Sequence, residues 1–212
     1  MSAENNDLDE PQLSAETLKA LKEFYEEQNE KILNLYGDKK NISDIKFDED
    51  WQLSQFWYDE NTCEQLVKCA VQTIGCHGTV ALISCPTLYK HFKNNSPSIS
   101  VKLFEYDKRF SAYGIDYEFY DYNEPLKLNN ELFNYFDLVI VDPPFLSEEC
   151  LTKSILTATN LTKNKLILCT GEVMEGTAKK LINLHKCSFI PKHKNNLGNE
   201  FACFTNFLSP LD

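Results

Sequence analysis

The sequence predicts an α/β fold: a doubly wound, mainly parallel sheet of seven strands with helices on both faces. Three observations lead there. Short apolar runs recur at 80–85, 101–106, 117–120, 138–141 and 166–170, separated by helical or loop segments. Such runs suit strands buried on both faces, as parallel sheets require. Two further runs, 189–193 and 201–207, flank a turn containing Asn195, Asn196 and Gly198, and predict a C-terminal antiparallel hairpin at one edge. With 212 residues, 42% of them hydrophobic, the chain suits one domain of ordinary size and a short extension.

Taken in order, residues 13–36 read as an amphipathic helix. Ser14 caps it, Leu13 and Leu18 occupy the positions of a hydrophobic staple, and Leu18, Leu21, Tyr25, Ile32 and Leu35 recur at spacings of three and four. Residues 37–50 lack periodicity and read as a linker, so the predicted organisation is an N-terminal helix and linker over 1–50 and one domain over 51–212. A helix is predicted at 62–74, with Thr62 and Gln65 at capping-box spacing and Leu66, Cys69, Ala70 and Ile74 as its buried stripe. Gly75 is placed to end it. Another helix is predicted at 176–184.

Composition narrows the partners. The apolar run 136–141 is interrupted by Asp137 and is far too short to span a bilayer, and the first ten residues are polar and acidic rather than signal-like. No membrane association is expected, and the chain reads as cytoplasmic. Asp plus Glu number 32 against 21 Lys plus Arg, giving a net charge of −11, and Arg109 is the one arginine. A duplex binder draws its affinity from phosphate contacts and its readout largely from arginine, so a nucleic-acid partner is not expected; a cationic one suits the field better. The eight cysteines form no C-x-x-C pair and mostly sit inside apolar runs, as Cys85 and Cys169 do. They read as reduced, buried thiols. Cys76 beside His77, and His185 near Cys187, lack structural zinc spacing, so no metal is expected.

In open sheets of this kind, ligands bind beyond the carboxyl ends of the strands. The apolar run 138–141 leads directly into Asp142-Pro143-Pro144-Phe145. Two prolines cannot continue a central ladder, so the strand stops there and the corner is stiff. The Asp142 carboxylate and the Pro143 carbonyl become converging acceptors, and Phe145 offers an apolar face beside them. Such a corner suits a nitrogen held by its N–H groups while its lone pair points elsewhere. A plain strand-ending turn with a capping aspartate is the bland alternative.

Asp142-Pro143-Pro144-Phe145 resembles the catalytic motif of amino-group methyltransferases with the class I fold. Together with Asp50-Trp51-Gln52-Leu53-Ser54-Gln55-Phe56-Trp57-Tyr58, Leu103-Phe104-Glu105-Tyr106-Asp107-Lys108-Arg109-Phe110 and Asn199-Glu200-Phe201, it is similar to the elongation factor 1-alpha lysine methyltransferase 1 family, whose members were formerly classed as N6-adenine DNA methyltransferases. The resemblance spans about residues 50–207. It implies S-adenosyl-L-methionine as cofactor and a lysine of translation elongation factor 1-alpha as substrate. An N6-adenine methyltransferase acting on DNA or RNA, and a non-catalytic binding module, are the alternatives. Carried over residue by residue, it implies catalytic Asp142, Pro143, Pro144 and Phe145. The first-strand turn, here the glycine-free Ser84-Cys85-Pro86-Thr87, would place Ser84, Cys85 and Thr87 at the methionine part of the cofactor. Glu105, with Asp107 second, would hold the ribose, and Asp121 and Tyr122 the adenine. Phe56 and Trp57 belong to an aromatic segment, 55–58, that reads either as a flap over the cofactor or as plain packing.

Overall fold

The structure, a computed structural model, describes residues 47–195 and 197–212 and, nearer the N-terminus, only residues 14, 16, 17, 19, 20, 23, 24 and 27. The chain divides into two units, Met1–Lys40 and Asn41–Asp212. In the first, Glu16, Thr17, Lys19, Ala20, Glu23, Phe24 and Glu27 are helical, and the Ser14 hydroxyl accepts the Thr17 amide at 3.1 Å, a capping bond. The other residues of the helix predicted at 13–36, its Leu13–Leu18 staple included, lie outside the described residues, as does 37–46.

The second unit is the α/β body. Its elements are α1 (Glu60–Ile74), β1 (Thr79–Ile83), α2 (Thr87–Asn95), β2 (Ser100–Glu105), β3 (Tyr117–Phe119), β4 (Phe136–Val141), α3 (Glu148–Leu161), β5 (Thr162–Gly171), α4 (Glu175–Leu181), β6 (His185–Lys186) and β7 (Phe201–Thr205). The sheet runs β3-β2-β1-β4-β5-β7-β6. β1 to β5 pair in parallel, while β7 is antiparallel to both β5 and β6. This is the doubly wound, seven-stranded arrangement of class I methyltransferases. The order reverses between β1 and β4, so a crevice opens at their carboxyl ends.

The apolar runs do what their composition dictates. Val80, Ala81, Leu82 and Ile83 of β1 and Leu138, Val139, Ile140 and Val141 of β4 are fully buried side by side. Burying each large aliphatic side chain contributes about 1.5–3 kcal/mol. Asp137, which interrupts the β4 run, sits at the far end of the sheet from the crevice. Its carboxylate accepts the Thr79 amide at 2.8 Å and pairs with Lys163 at 2.8 Å, tying β1, β4 and β5 together at their amino ends.

Several local details differ from the sequence expectation. α1 starts at Glu60, because Asp59 rather than Thr62 caps it, accepting the Thr62 amide at 2.8 Å. The Thr62 hydroxyl is committed elsewhere, accepting the Lys192 amide at 2.8 Å. Gly75 closes this helix at φ 78°, a left-handed backbone that glycine adopts freely. The first strand of the C-terminal hairpin is His185–Lys186, and 189–193 lies outside the sheet. Pro191 has no N–H to give a ladder, and the neighbouring backbone is taken up by other segments: Phe189 donates to Leu211, Asp59 donates to Lys192, and His193 bridges Tyr58. Phe47, within the stretch read as linker, is buried with its ring 4.6 Å from that of Phe110.

Candidate active site

Four strand ends converge on one cavity of about 440 Å³, within the range of small-molecule sites, about 300–1,000 Å³. Ser84 to Thr87 follow β1, Glu105 and Tyr106 close β2, Tyr120 to Asn123 follow β3, and Asp142 to Leu146 follow β4. The wall is completed by residues 52–58 and by His193, Leu197, Gly198, Asn199 and Phe201. Of the residues singled out from the sequence, Ser84, Cys85, Thr87, Glu105, Asp121, Tyr122, Phe56, Trp57, Asp142, Pro143, Pro144 and Phe145 all border this cavity; Asp107 does not.

The two-proline corner is built as its residues require. The Asp142 amide completes the ladder by donating to the Ile83 carbonyl at 3.0 Å, after which the chain leaves the sheet. Burial pushes the Asp142 carboxyl up to about 7, with the Tyr58 hydroxyl drawing it the other way. Pro143 is buried, and its carbonyl is its one backbone polar group. Phe145, 41% exposed, meets Tyr122 edge-on at 5.8 Å between ring centres, forming an aromatic rim.

The glycine-free turn after β1 is made by Ser84, at φ 55°. A serine takes the left-handed conformation where a glycine would ordinarily serve, and its amide donates to the Phe104 carbonyl at 3.0 Å. The Cys85 thiol turns toward the Ile140 carbonyl at 3.6 Å, and burial pushes it well above the usual thiol range. Thr87 begins α2, so the amino end of that helix faces the cavity.

Glu105 and Asp107 divide labour. Oε1 of Glu105 accepts the Tyr106 and Asp107 amides at 3.1 and 3.2 Å, which orients the carboxyl, and burial raises it to about 7. Asp107 is instead consumed by structure. Its carboxylate accepts the Arg109 amide and guanidinium at 2.9 and 2.7 Å, and the Gln55 side-chain amide at 2.9 Å. Gln55 also accepts from the Arg109 guanidinium at 3.1 Å. The one arginine is thereby spent on locking segment 52–58 to the end of β2. Asp121 uses Oδ1 to accept the Asn123 amide at 2.8 Å in the turn beside the cavity.

The aromatic segment 55–58 is fastened on its other side to residues 192–195. The Lys194 amide donates to the Trp57 carbonyl at 2.8 Å, the Asp59 amide donates to the Lys192 carbonyl at 2.9 Å, and the Tyr58 and His193 rings lie 5.1 Å apart. Trp57 Nε1 and Tyr58 Oη are buried without a hydrogen-bond partner among the described residues. Sequence reasoning passed over Tyr106, Tyr120, Leu197 and Asn199 as site residues, and reached Tyr58 only as a member of the 55–58 segment read as flap or packing. The quoted segments 50–58, 103–110 and 199–201 carried the signal for Tyr58, Tyr106 and Asn199, and none of them contains Tyr120 or Leu197. His185, Cys187 and Asp212, without zinc spacing in the chain, come within 4.8 Å of one another through their ligand atoms. Among the described residues, no helix is long and apolar enough to cross a membrane.

Comparison with known proteins agrees with this geometry. The chain is 46% identical to the EEF1A lysine methyltransferase 1 of Mus musculus, over 99% of this chain and 98% of that protein. It belongs to the EEF1A lysine methyltransferase 1 family. Protein-lysine N-methyltransferase EFM5 of Saccharomyces cerevisiae is 38% identical over 92% of this chain and 91% of that protein. A family model described as "Probable N6-adenine methyltransferase" matches residues 49–209. Among solved structures, phosphoethanolamine N-methyltransferase 1 of Haemonchus contortus aligns with a TM-score of 0.52 at 10% identity, covering 93% of this chain and 48% of that one. The branched-chain polyamine synthase of Thermus thermophilus aligns at 0.54 and 11%, covering 79% and 61%. Those two likenesses are of fold.

Proposed function

We propose that this chain is a protein-lysine N-methyltransferase that moves a methyl group from S-adenosyl-L-methionine to a lysine side chain of translation elongation factor 1-alpha, in the cytoplasm. The activity belongs to residues 51–212, with residues 1–50 as an extension. The observation that carries the reading is the meeting of Asp142, Pro143 and Glu105 on one cavity wall, in a chain that aligns end to end with named lysine methyltransferases.

The cofactor suits the donor set on chemical grounds. Glu105, oriented by two amides and raised by burial, is a carboxyl that two ribose hydroxyls would satisfy. Trp57 offers a buried N–H with no partner among the described residues. Asp121 and Tyr122 border the place for the adenine, and Ser84, Cys85 and Thr87 the methionine part, beside the amino end of α2. When bound, S-adenosyl-L-methionine supplies an electrophilic methyl group.

The corner after β4 handles the amine. The Asp142 carboxylate and the Pro143 carbonyl accept its N–H groups and leave the lone pair free for in-line attack. A free lysine has a pKa near 10.4, so the amine must shed a proton before it attacks. Desolvation beside Phe145 and Tyr122 favours the neutral form, whereas a charged carboxylate favours the cation. Asp142 serves as an orienting acceptor: desolvation lowers the amine's pKa, so it sheds its proton to bulk solvent on entry and arrives neutral, and the carboxylate then accepts one of its remaining N–H groups. With the donor bound, the amine's lone pair would form the new N–C bond while sulfur keeps the pair of the broken S–C bond, and most of the rate enhancement would come from the alignment these residues impose.

Incubating the protein with tritiated cofactor and either elongation factor 1-alpha, DNA or RNA tests the reading. Label is expected in lysine. Label in adenine would instead establish the nucleic-acid reading suggested by the family description, which the net charge of −11 and the committed Arg109 oppose. Absence of cofactor binding in calorimetry would identify a non-catalytic relative.

A further inference from the structure

Three buried side-chain polar atoms have no hydrogen-bond partner among the described residues: Trp57 Nε1, Tyr58 Oη and Thr170 Oγ1. The first two belong to the segment that walls the cavity. A buried hydroxyl left unpaired gives up its bonds to water for nothing in return, so one kept at a cavity wall calls for a function. Tyr58 cannot relieve it by turning outward. It is 2% exposed, its backbone bridges His193, and the flanking residues are bonded to 192–194.

The surroundings of that hydroxyl leave one candidate partner. The titratable groups pressing on it are Asp142 at the end of β4, Cys169 on β5 and Cys85 after β1. The Cys85 thiol is engaged with the Ile140 carbonyl, and Glu105 lies beyond it. Across the ring stands His193, which burial holds toward its neutral form. Asp142 is therefore the acceptor within reach: the hydroxyl and the carboxyl already interact, but without the full geometry of a closed hydrogen bond.

We propose that Tyr58 is the positioning residue for Asp142: as the substrate amine enters, the phenol donates to one carboxylate oxygen and holds the other toward the amine N–H. The idea rests on the methyl-transfer reading and goes beyond it, because it assigns a task to a hydroxyl outside the two-proline corner. The hydroxyl already draws the Asp142 carboxyl downward against burial, so a closed hydrogen bond keeps the acceptor ionised at neutral pH. A phenylalanine would fill the same space against His193 and leave the carboxyl free to rotate and to hold its proton.

Tyr58→Phe tests this. The expected result is a fall in kcat of about tenfold near neutral pH with the cofactor KM unchanged, and an acidic limb of the pH–rate profile moved up by about one pH unit. The defect should then shrink in alkaline buffer. A second readout needs no turnover. Carbon-13 NMR titration of the aspartate carboxyls, with Asp142 assigned through Asp142→Asn, should place its midpoint higher in Tyr58→Phe than in the unmodified protein. An unchanged pH profile with an unchanged midpoint overturns the proposal, and so does a variant that is merely less heat-stable. If the unmodified protein labels no lysine, the functional reading fails, while the NMR midpoint still decides the role of Tyr58.

Discussion

Glu105 yields a prediction whose size follows from its surroundings. Its carboxyl is buried, raised to about 7, and held through Oε1 by two amides. In the cofactor-free protein it is therefore about half protonated near pH 7, roughly nine-tenths near pH 6 and roughly one-tenth near pH 8. Two ribose hydroxyls donating to it favour the ionised form, and hydrogen bonds to a charged group contribute about 1.5–3 kcal/mol each. Cofactor binding should accordingly release about half a proton near pH 7, more near pH 6 and little near pH 8. Titration calorimetry in buffers of different ionisation enthalpy reads that number directly. Glu105→Gln keeps the shape but loses the charge. It should bind roughly 30- to 150-fold more weakly, a loss of about 2–3 kcal/mol, and its proton release should fall to whatever Asp142 alone supplies. Equal proton release by the two proteins, or equal affinity, refutes the assignment of Glu105 to the ribose.

Other consequences can be checked by simpler means. Ser84→Gly relieves a left-handed backbone worth about 1–2 kcal/mol at a glycine entropy cost of about 0.5–1, so the thermal midpoint should rise by roughly 2–4 °C. Asp107→Ala removes the partner of Arg109 and Gln55; urea unfolding should show a loss of roughly 2–4 kcal/mol, somewhat below a fully buried pair because Arg109 keeps 26% exposure. Glu105 and Asp142 are both raised above their unfolded values, so the stability linked to them is present below about pH 4 and lost as pH rises through about 7. Urea midpoints of the cofactor-free protein should show this decline, and a double change to Gln and Asn should flatten it.

What the chain discloses about itself depends on the range of the interaction. The buried β4 run and its two prolines are local facts, and the strand end they announce is where the cavity lies. Glu105 was legible for the same reason, as the last residue of a strand. Asp107 was not, because its partner Gln55 is distant in sequence and arrives only with the fold. The same holds for 189–193, an apolar run with strand-like composition that the chain uses to grip Tyr58 and α1 rather than to extend the sheet. The glycine-free turn was placed at the cavity by its strand position, but that Ser84 itself takes the left-handed φ could not be read from its identity. Tyr58 lay in plain view within an aromatic segment, but nothing in its neighbours' identities says that its hydroxyl faces Asp142.

The central claim is that the two-proline corner presents Asp142 to an amine beside a bound methyl donor. The most direct test is Asp142→Ala, assayed for methyl transfer to elongation factor 1-alpha alongside calorimetric cofactor binding. Turnover should fall at least about a hundredfold while the cofactor dissociation constant stays within about threefold. Near-normal turnover by this variant would contradict the account.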